Sequence, residues 1–105
     1  MTHNDLAERT LALLAERWTV RILRELLLGT RRFGELKRTL APVSQKMLTE
    51  RLRGLEAEGL LTRCAFPEVP PRVEYSLTET GQSLQPILEA AAAWGQAHSA
   101  EGTPP

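Results

Sequence analysis

The chain has 105 residues, 42% of them hydrophobic and 25% charged, the composition of one globular domain rather than of a disordered chain. Thirteen Lys and Arg balance thirteen Asp and Glu, so the net charge is zero, and no apolar run approaches the ~20 residues of a membrane span. The single cysteine, Cys64, excludes an internal disulfide and a Cys-rich zinc site, and His3 and His98 have no metal-ligand spacing around them.

No Gly-rich phosphate loop, Gly-x-Ser-x-Gly elbow or isolated pair of carboxylates occurs, so neither enzyme chemistry nor a cofactor or metal is expected. The first five residues lack the basic and apolar segments of a signal peptide, which makes the cytoplasm the default location. The charge is unevenly spread. Between Arg17 and Arg53 lie ten basic residues and three acids (Glu25, Glu35 and Glu50), a local excess of seven positive charges that the rest of the chain offsets. The local field, and not the total, governs attraction to phosphates within a Debye length of about 8–10 Å.

A first helix is predicted over 6–16, with Asp5 or Asn4 as its cap and a broad apolar surface of Leu6, Leu11, Leu13 and Leu14. A second runs from Trp18 to Leu28, with Trp18, Ile22 and Leu26 on one stripe and Val20, Leu23 and Leu27 on the next, the wide apolar face of a central core helix. Gly29 ends it by taking a left-handed conformation. A third helix, about 33–40, spaces Phe33, Leu36 and Leu40 on one side. Pro42 disfavours helical geometry at Ala41, so the chain turns there. Ser44 then caps a fourth helix over 44–58, whose Leu48, Leu52 and Leu55 recur on a single face.

Two short helices joined by a tight turn, the second beginning with polar residues, make a helix-turn-helix. Gln45, Lys46, Thr49 and Arg53 fall on the side away from the leucines, where they can donate to phosphates or read base edges. Gln45 is the expected base reader, because a carboxamide pairs bidentately with adenine. Ser44 serves either as a cap alone or also as a phosphate contact. Arg51 has a less outward angle and is expected to tie the helix down through Glu25, Glu35 or another acid.

After Gly59 the period changes to two. Val73, Tyr75 and Leu77 alternate with Arg72, Glu74 and Ser76 in a half-buried strand, with 61–66 as its antiparallel partner. Three prolines in 67–71 cannot continue the pairing, so the loop is a stiff wing, with Arg72 at its base a phosphate or minor-groove contact that Glu68 would weaken. Thr78 caps the last helix, which carries Leu84, Ile87, Leu88, Ala91 and Trp94, kinks or restarts near Leu84–Gln85 because of Pro86, and offers a thin surface from Ala90 to Ala93. Of the aromatics Trp18, Phe33, Phe66, Tyr75 and Trp94, most are expected in the core. Residues 1–98 then form one domain, and 99–105 a frayed tail. The fold class is mainly α with a small antiparallel β-hairpin, a winged helix-turn-helix.

The segments Trp18-Thr-Val-Arg-Ile-Leu-Arg-Glu-Leu, Arg32-Phe-Gly-Glu-Leu, Ser44-Gln-Lys-Met-Leu-Thr-Glu-Arg-Leu, Pro67-Glu-Val-Pro-Pro-Arg-Val-Glu-Tyr-Ser-Leu-Thr and Ala93-Trp-Gly resemble, in order and spacing, the HxlR-type winged helix-turn-helix transcriptional regulators. The resemblance covers roughly residues 6–97. It implies a sequence-specific regulator acting as a homodimer on a pseudo-palindromic operator, its partners double-stranded DNA and a second copy of itself. The residues expected to contact DNA are Ser44, Gln45, Lys46, Thr49, Arg53, Arg32 and Arg72, and those expected at the dimer surface, on the apolar first and last helices, are Leu6, Leu13, Leu88, Ala91 and Trp94.

Many such regulators carry a sensing Cys-Pro upstream of the Trp. Here that place falls at about Asp5 and Leu6, so the chemistry does not transfer. Cys64 is a different position, read first as a small buried or edge hydrophobe and second as a redox site. A small-molecule effector held near Trp18 or Trp94 stays open. So does the other use of the fold, a protein-docking module that ignores duplex DNA.

Overall fold

The structure, a computed structural model, describes residues 2–99; the expected tail lies outside the described residues but for Ser99. The elements run α1 (His3–Ala15), α2 (Thr19–Leu28), β1 (Arg31–Arg32), α3 (Phe33–Thr39), α4 (Gln45–Ala57), β2 (Leu61–Phe66), β3 (Arg72–Leu77), α5 (Glu79–Gln82) and α6 (Gln85–His98). This is the expected winged helix-turn-helix, mainly α with a small antiparallel sheet, plus one strand that the sequence did not announce.

Helix α1 is capped by Thr2 and not by Asn4 or Asp5. The Thr2 hydroxyl accepts from the Asp5 N–H at 3.1 Å, while the Asp5 carboxylate accepts from the Thr2 N–H at 3.1 Å. This reciprocal box satisfies two orphan donors at once. The Thr2 N–H, and after it the hydroxyl, hold the Asp5 carboxyl below its ordinary range. No residue of α1 is fully buried; Leu13 and Leu14 only lean on the core.

Trp18 is not the first residue of the second helix but the residue before it. Its backbone sits at φ 77°, ψ −16°, a left-handed conformation that bulky side chains rarely adopt. The Arg17 and Arg21 guanidinium carbons lie 5.3 and 5.2 Å from its ring centroid. Helix α2 is central as expected, with Ile22, Leu23 and Leu26 buried. Gly29, at φ 149° and ψ 177°, is extended rather than helical, yet its positive φ still requires glycine. It releases the chain straight into β1.

The sheet order is β1-β3-β2. Arg31 pairs with Tyr75 and Arg32 with Glu74, and the Thr30 and Ser76 hydroxyls lie 2.7 Å apart beside them. On the other side Leu61 faces Leu77, Arg63 faces Tyr75 and Phe66 faces Arg72. Alternation puts Leu61, Arg63, Val73 and Tyr75 on the helix-facing side and Cys64, Phe66, Arg72 and Glu74 on the outer one. Of the aromatics only Tyr75 is fully buried. Trp18, Phe33 and Phe66 are half-buried and Trp94 is exposed, so the expectation of mostly core aromatics holds less well than that for the leucines.

Leu36, Leu40 and Val43 close the turn between α3 and α4 from inside. Leu48, Leu52 and Leu55 of α4 are each no more than 2% exposed, and burying each such side chain contributes about 1.5–3 kcal/mol. Gly59, at φ 77°, ends α4: its N–H reaches the Glu56 carbonyl at 2.9 Å and the Leu60 N–H reaches that of Leu55 at 3.0 Å. That pair of bonds is a Schellman ending.

Thr78 caps a separate four-residue helix, α5, and not the long last one. Its hydroxyl donates to the Gly59 carbonyl at 2.6 Å and accepts from the Gly81 N–H at 3.0 Å. The expected restart occurs: α6 begins at Gln85, and Pro86 falls in its first turn, where a missing N–H leaves no bond unmade.

Candidate nucleic-acid interface

Helix α4 is held by its three leucines with the opposite side open to solvent. Gln45, Lys46, Glu50, Arg53 and Gly54 are exposed there, as the sequence spacing anticipated for the first, second and fourth of them. Thr49 is half-buried and sits on the shoulder next to the sheet, less outward than expected. Ser44 accepts from the Met47 N–H at 3.0 Å, so its oxygen is a cap, with the hydroxyl proton left to donate.

A groove of about 600 Å³ runs between α4 and the sheet, lined by Gln45, Thr49, Arg53 and Phe33 on one side and Arg63 and Tyr75 on the other. Lys46, Arg53 and Arg63 carry no hydrogen bond or ion pair with any described residue. Arg53, Arg63 and the Gln45 carboxamide line the groove together with one acid, Glu56, and Lys46 stands exposed on the neighbouring face of α4. The surface carries a net positive charge, attracts polyanions and offers donors to them. Sequence reasoning missed Arg63. Its signal was the alternation itself, carried across the hairpin, but the proline loop hides the register that decides which face Arg63 takes.

Arg32 and Arg72 are brought together elsewhere. With Arg38 and Glu68 they line a second groove of about 420 Å³ between the start of α3 and the wing loop. Phe33 and Val73 border both grooves. The Arg32 N–H donates to the Glu35 carboxylate at 2.8 Å, leaving the exposed guanidinium without a partner among the described residues. Arg72 is occupied: its Nη2 lies 2.9 Å from Glu68, its Nε 3.5 Å from Glu74, and its guanidinium carbon 4.1 Å from the Phe66 centroid. Arg51 pairs with Glu16, not with Glu25 or Glu35. Glu25 instead lies 3.9 Å from Arg31.

A third groove, apolar and of about 1080 Å³, is bordered by α1, α2 and α6 and lined by Leu11, Leu14, Val20, Leu27, Leu88 and Ala91 among others. Neither Trp18 nor Trp94, the two tryptophans expected beside an effector, lines it. Leu6 and Trp94 are exposed, Leu13 and Leu88 half-buried, and Ala91 exposed. Trp94 stacks on His98 with centroids 4.3 Å apart. Cys64 is exposed on the outer face of strand β2, at the edge of the sheet, and is not buried. Among the described residues, no cluster of His, Cys, Asp and Glu could hold a metal, and no helix is long and apolar enough to cross a membrane.

Residues 13–103 match the model of the HxlR-like helix-turn-helix family. The chain is 45% identical over 96 residues to the HTH-type transcriptional regulator YtcD of Bacillus subtilis, covering 91% of this chain and 76% of that one. It is 51% identical over 78 residues to an HTH-type transcriptional regulator of Synechocystis, covering 74% of this chain but only 58% of the relative. Its backbone superposes on the reduced form of the transcriptional regulator YodB from B. subtilis with a TM-score of 0.86, at 37% identity, covering 98% and 99% of the two chains. These relatives are regulators and not enzymes. The chain belongs to the HxlR-like helix-turn-helix family of transcriptional regulators.

Proposed function

We propose that two copies of the chain bind a pseudo-palindromic operator in cytoplasmic DNA, one α4 entering each major groove about 34–36 Å apart. The observation that carries this reading is the pairing of buried Leu48, Leu52 and Leu55 with unpartnered Lys46 and Arg53 on one helix. The helix is held from within by its leucines, while Lys46 and Arg53, unlike Arg51, have no partner among the described residues. Lys46, Arg53 and Arg32 take phosphates, Gln45 reads a base edge, Thr49 touches the groove wall, and Ser44 donates its hydroxyl proton to a phosphate while capping. Arg63 adds a phosphate contact from the sheet. Arg72 reaches DNA only by leaving Glu68 and Glu74, so its contribution is the smallest of the set.

Pairing through α1 and α6 is supported by Leu6, Leu11, Ile87 and Trp94, large apolar side chains left exposed on those two helices. Leu13, Leu88 and Ala91 extend the same surface toward the groove between them. Where an effector binds, that groove and not the tryptophans is the place for it.

Footprinting on the DNA upstream of the gene and of its neighbour tests the reading. The expected result is a protected site with twofold symmetry, its two halves one helical turn apart. A gel shift with no retained duplex at moderate salt, alongside retention of a protein partner, would instead support the docking-module use of the fold.

A further inference from the structure

Resting on the DNA reading above, we infer that Glu50 is a specificity-determining residue that selects cytosine at one position of each half-site. Three acids lie within the basic segment from Arg17 to Arg53, and two have internal work. Glu25 lies 3.9 Å from Arg31, and Glu35 accepts the Arg32 N–H at 2.8 Å. Glu50 has neither a hydrogen bond nor an ion pair with any described residue, and its side chain is exposed. It is one helical turn after Lys46 and one before Gly54, so all three share a stripe on the side away from the leucines.

Arg53 stands at i+3 and Lys46 at i−4 on the same exposed side, yet neither forms an ion pair with the carboxylate. A Lys placed four residues before a Glu is the poorer orientation for a helical ion pair. The site is also too far from the first turn for the helix dipole to favour an acid. Gly54, where an added Cβ would meet no other atom within 4 Å, leaves the carboxylate uncovered on its C-terminal side.

A carboxylate aimed at DNA repels phosphates and accepts hydrogen bonds only. In the major groove the donors are cytosine N4 and adenine N6, and adenine sets its N7 acceptor beside that donor. Guanine and thymine offer the carboxylate only acceptors. Cytosine is therefore the base that satisfies Glu50 without opposing it, whereas adenine sets an acceptor beside its donor and guanine and thymine leave a desolvated charge unpaired. Glu50 lowers affinity for DNA in general and restores it where a C·G pair stands.

The experiment is selection from a randomised duplex pool with the wild-type chain, Glu50→Gln and Glu50→Ala, each first shown by thermal melting to be folded. The wild type is expected to fix one C·G pair per half-site by about tenfold or more over the other bases. Glu50→Gln should move that preference toward A·T, and Glu50→Ala should abolish it while leaving the other selected positions intact. Glu50→Ala should also bind non-selected duplex more tightly than the wild type. Identical motifs from all three proteins overturn the inference and leave the DNA reading standing. A wild type that enriches no motif brings down the DNA reading itself, and this inference with it.

Discussion

Arg51, on the helix proposed to read DNA, forms an ion pair with Glu16, the residue that closes α1. The first helix, part of the proposed dimer surface, is thereby tied to the reading helix without passing through the core. Both side chains are partly exposed, so the pair contributes about 0.5–1 kcal/mol and not more. A double-mutant cycle on Arg51→Ala and Glu16→Ala, followed by urea melts, should return a coupling energy of that size. Strict additivity would show that the contact does no more than its geometry.

Removing Lys46 or Arg53 should weaken binding to every duplex and reduce the slope of log affinity against log salt by roughly 0.9 for each lost phosphate contact. Gln45→Ala should leave the salt slope alone and loosen discrimination at one base pair per half-site. Arg63→Ala is expected to behave like Arg53→Ala, and Arg72→Ala to change the slope least, because its guanidinium is already neutralised by two carboxylates. Titrations at several salt concentrations separate these cases. An unchanged slope in Lys46→Ala and Arg53→Ala would falsify the docking.

Leu52 is 1% exposed, so Leu52→Ala should cost about 2–5 kcal/mol by opening a cavity under α4. Chemical denaturation measures it directly. A melting curve that does not move would mean that the helix rotates to refill the space.

Gly81 makes a sharper case. A Cβ added there would stand 2.1 Å from the Leu60 carbonyl oxygen, a backbone atom that cannot swing aside. Gly81→Ala should therefore destabilise the domain by about 1–3 kcal/mol even though alanine is the better helix former. A gain in melting temperature would refute the close approach.

Trp94 is 67% exposed, so Trp94→Glu should fold normally, sediment as a monomer and bind operator DNA poorly. An unchanged dimer would move the seam away from α6.

The leucine stripes of α2 and α4 and the alternation of β3 were legible because burial repeats with the period of the element. Trp18 was not. A left-handed tryptophan has no propensity signature, and its apolar ring fits the stripe of the helix that it precedes. Strand β1 escaped because two arginines show no period and owe their pairing to Glu74 and Tyr75, far along the chain. The site divided in the same way. The outward face of α4 followed from the angle between residues, whereas the placement of Arg63, the capture of Arg72 and the choice of Glu16 by Arg51 depend on register and long-range approach, which local pattern does not carry.

Because Arg31 and Arg32 are stitched to the middle strand, the entry to α3 and the hairpin share one set of backbone bonds. The placement of the first turn of α3 against the sheet is thus built into the backbone itself. In the proposed dimer, the spacing between the two copies of α4 is then left to the way α1 and α6 of one protomer meet those of the other.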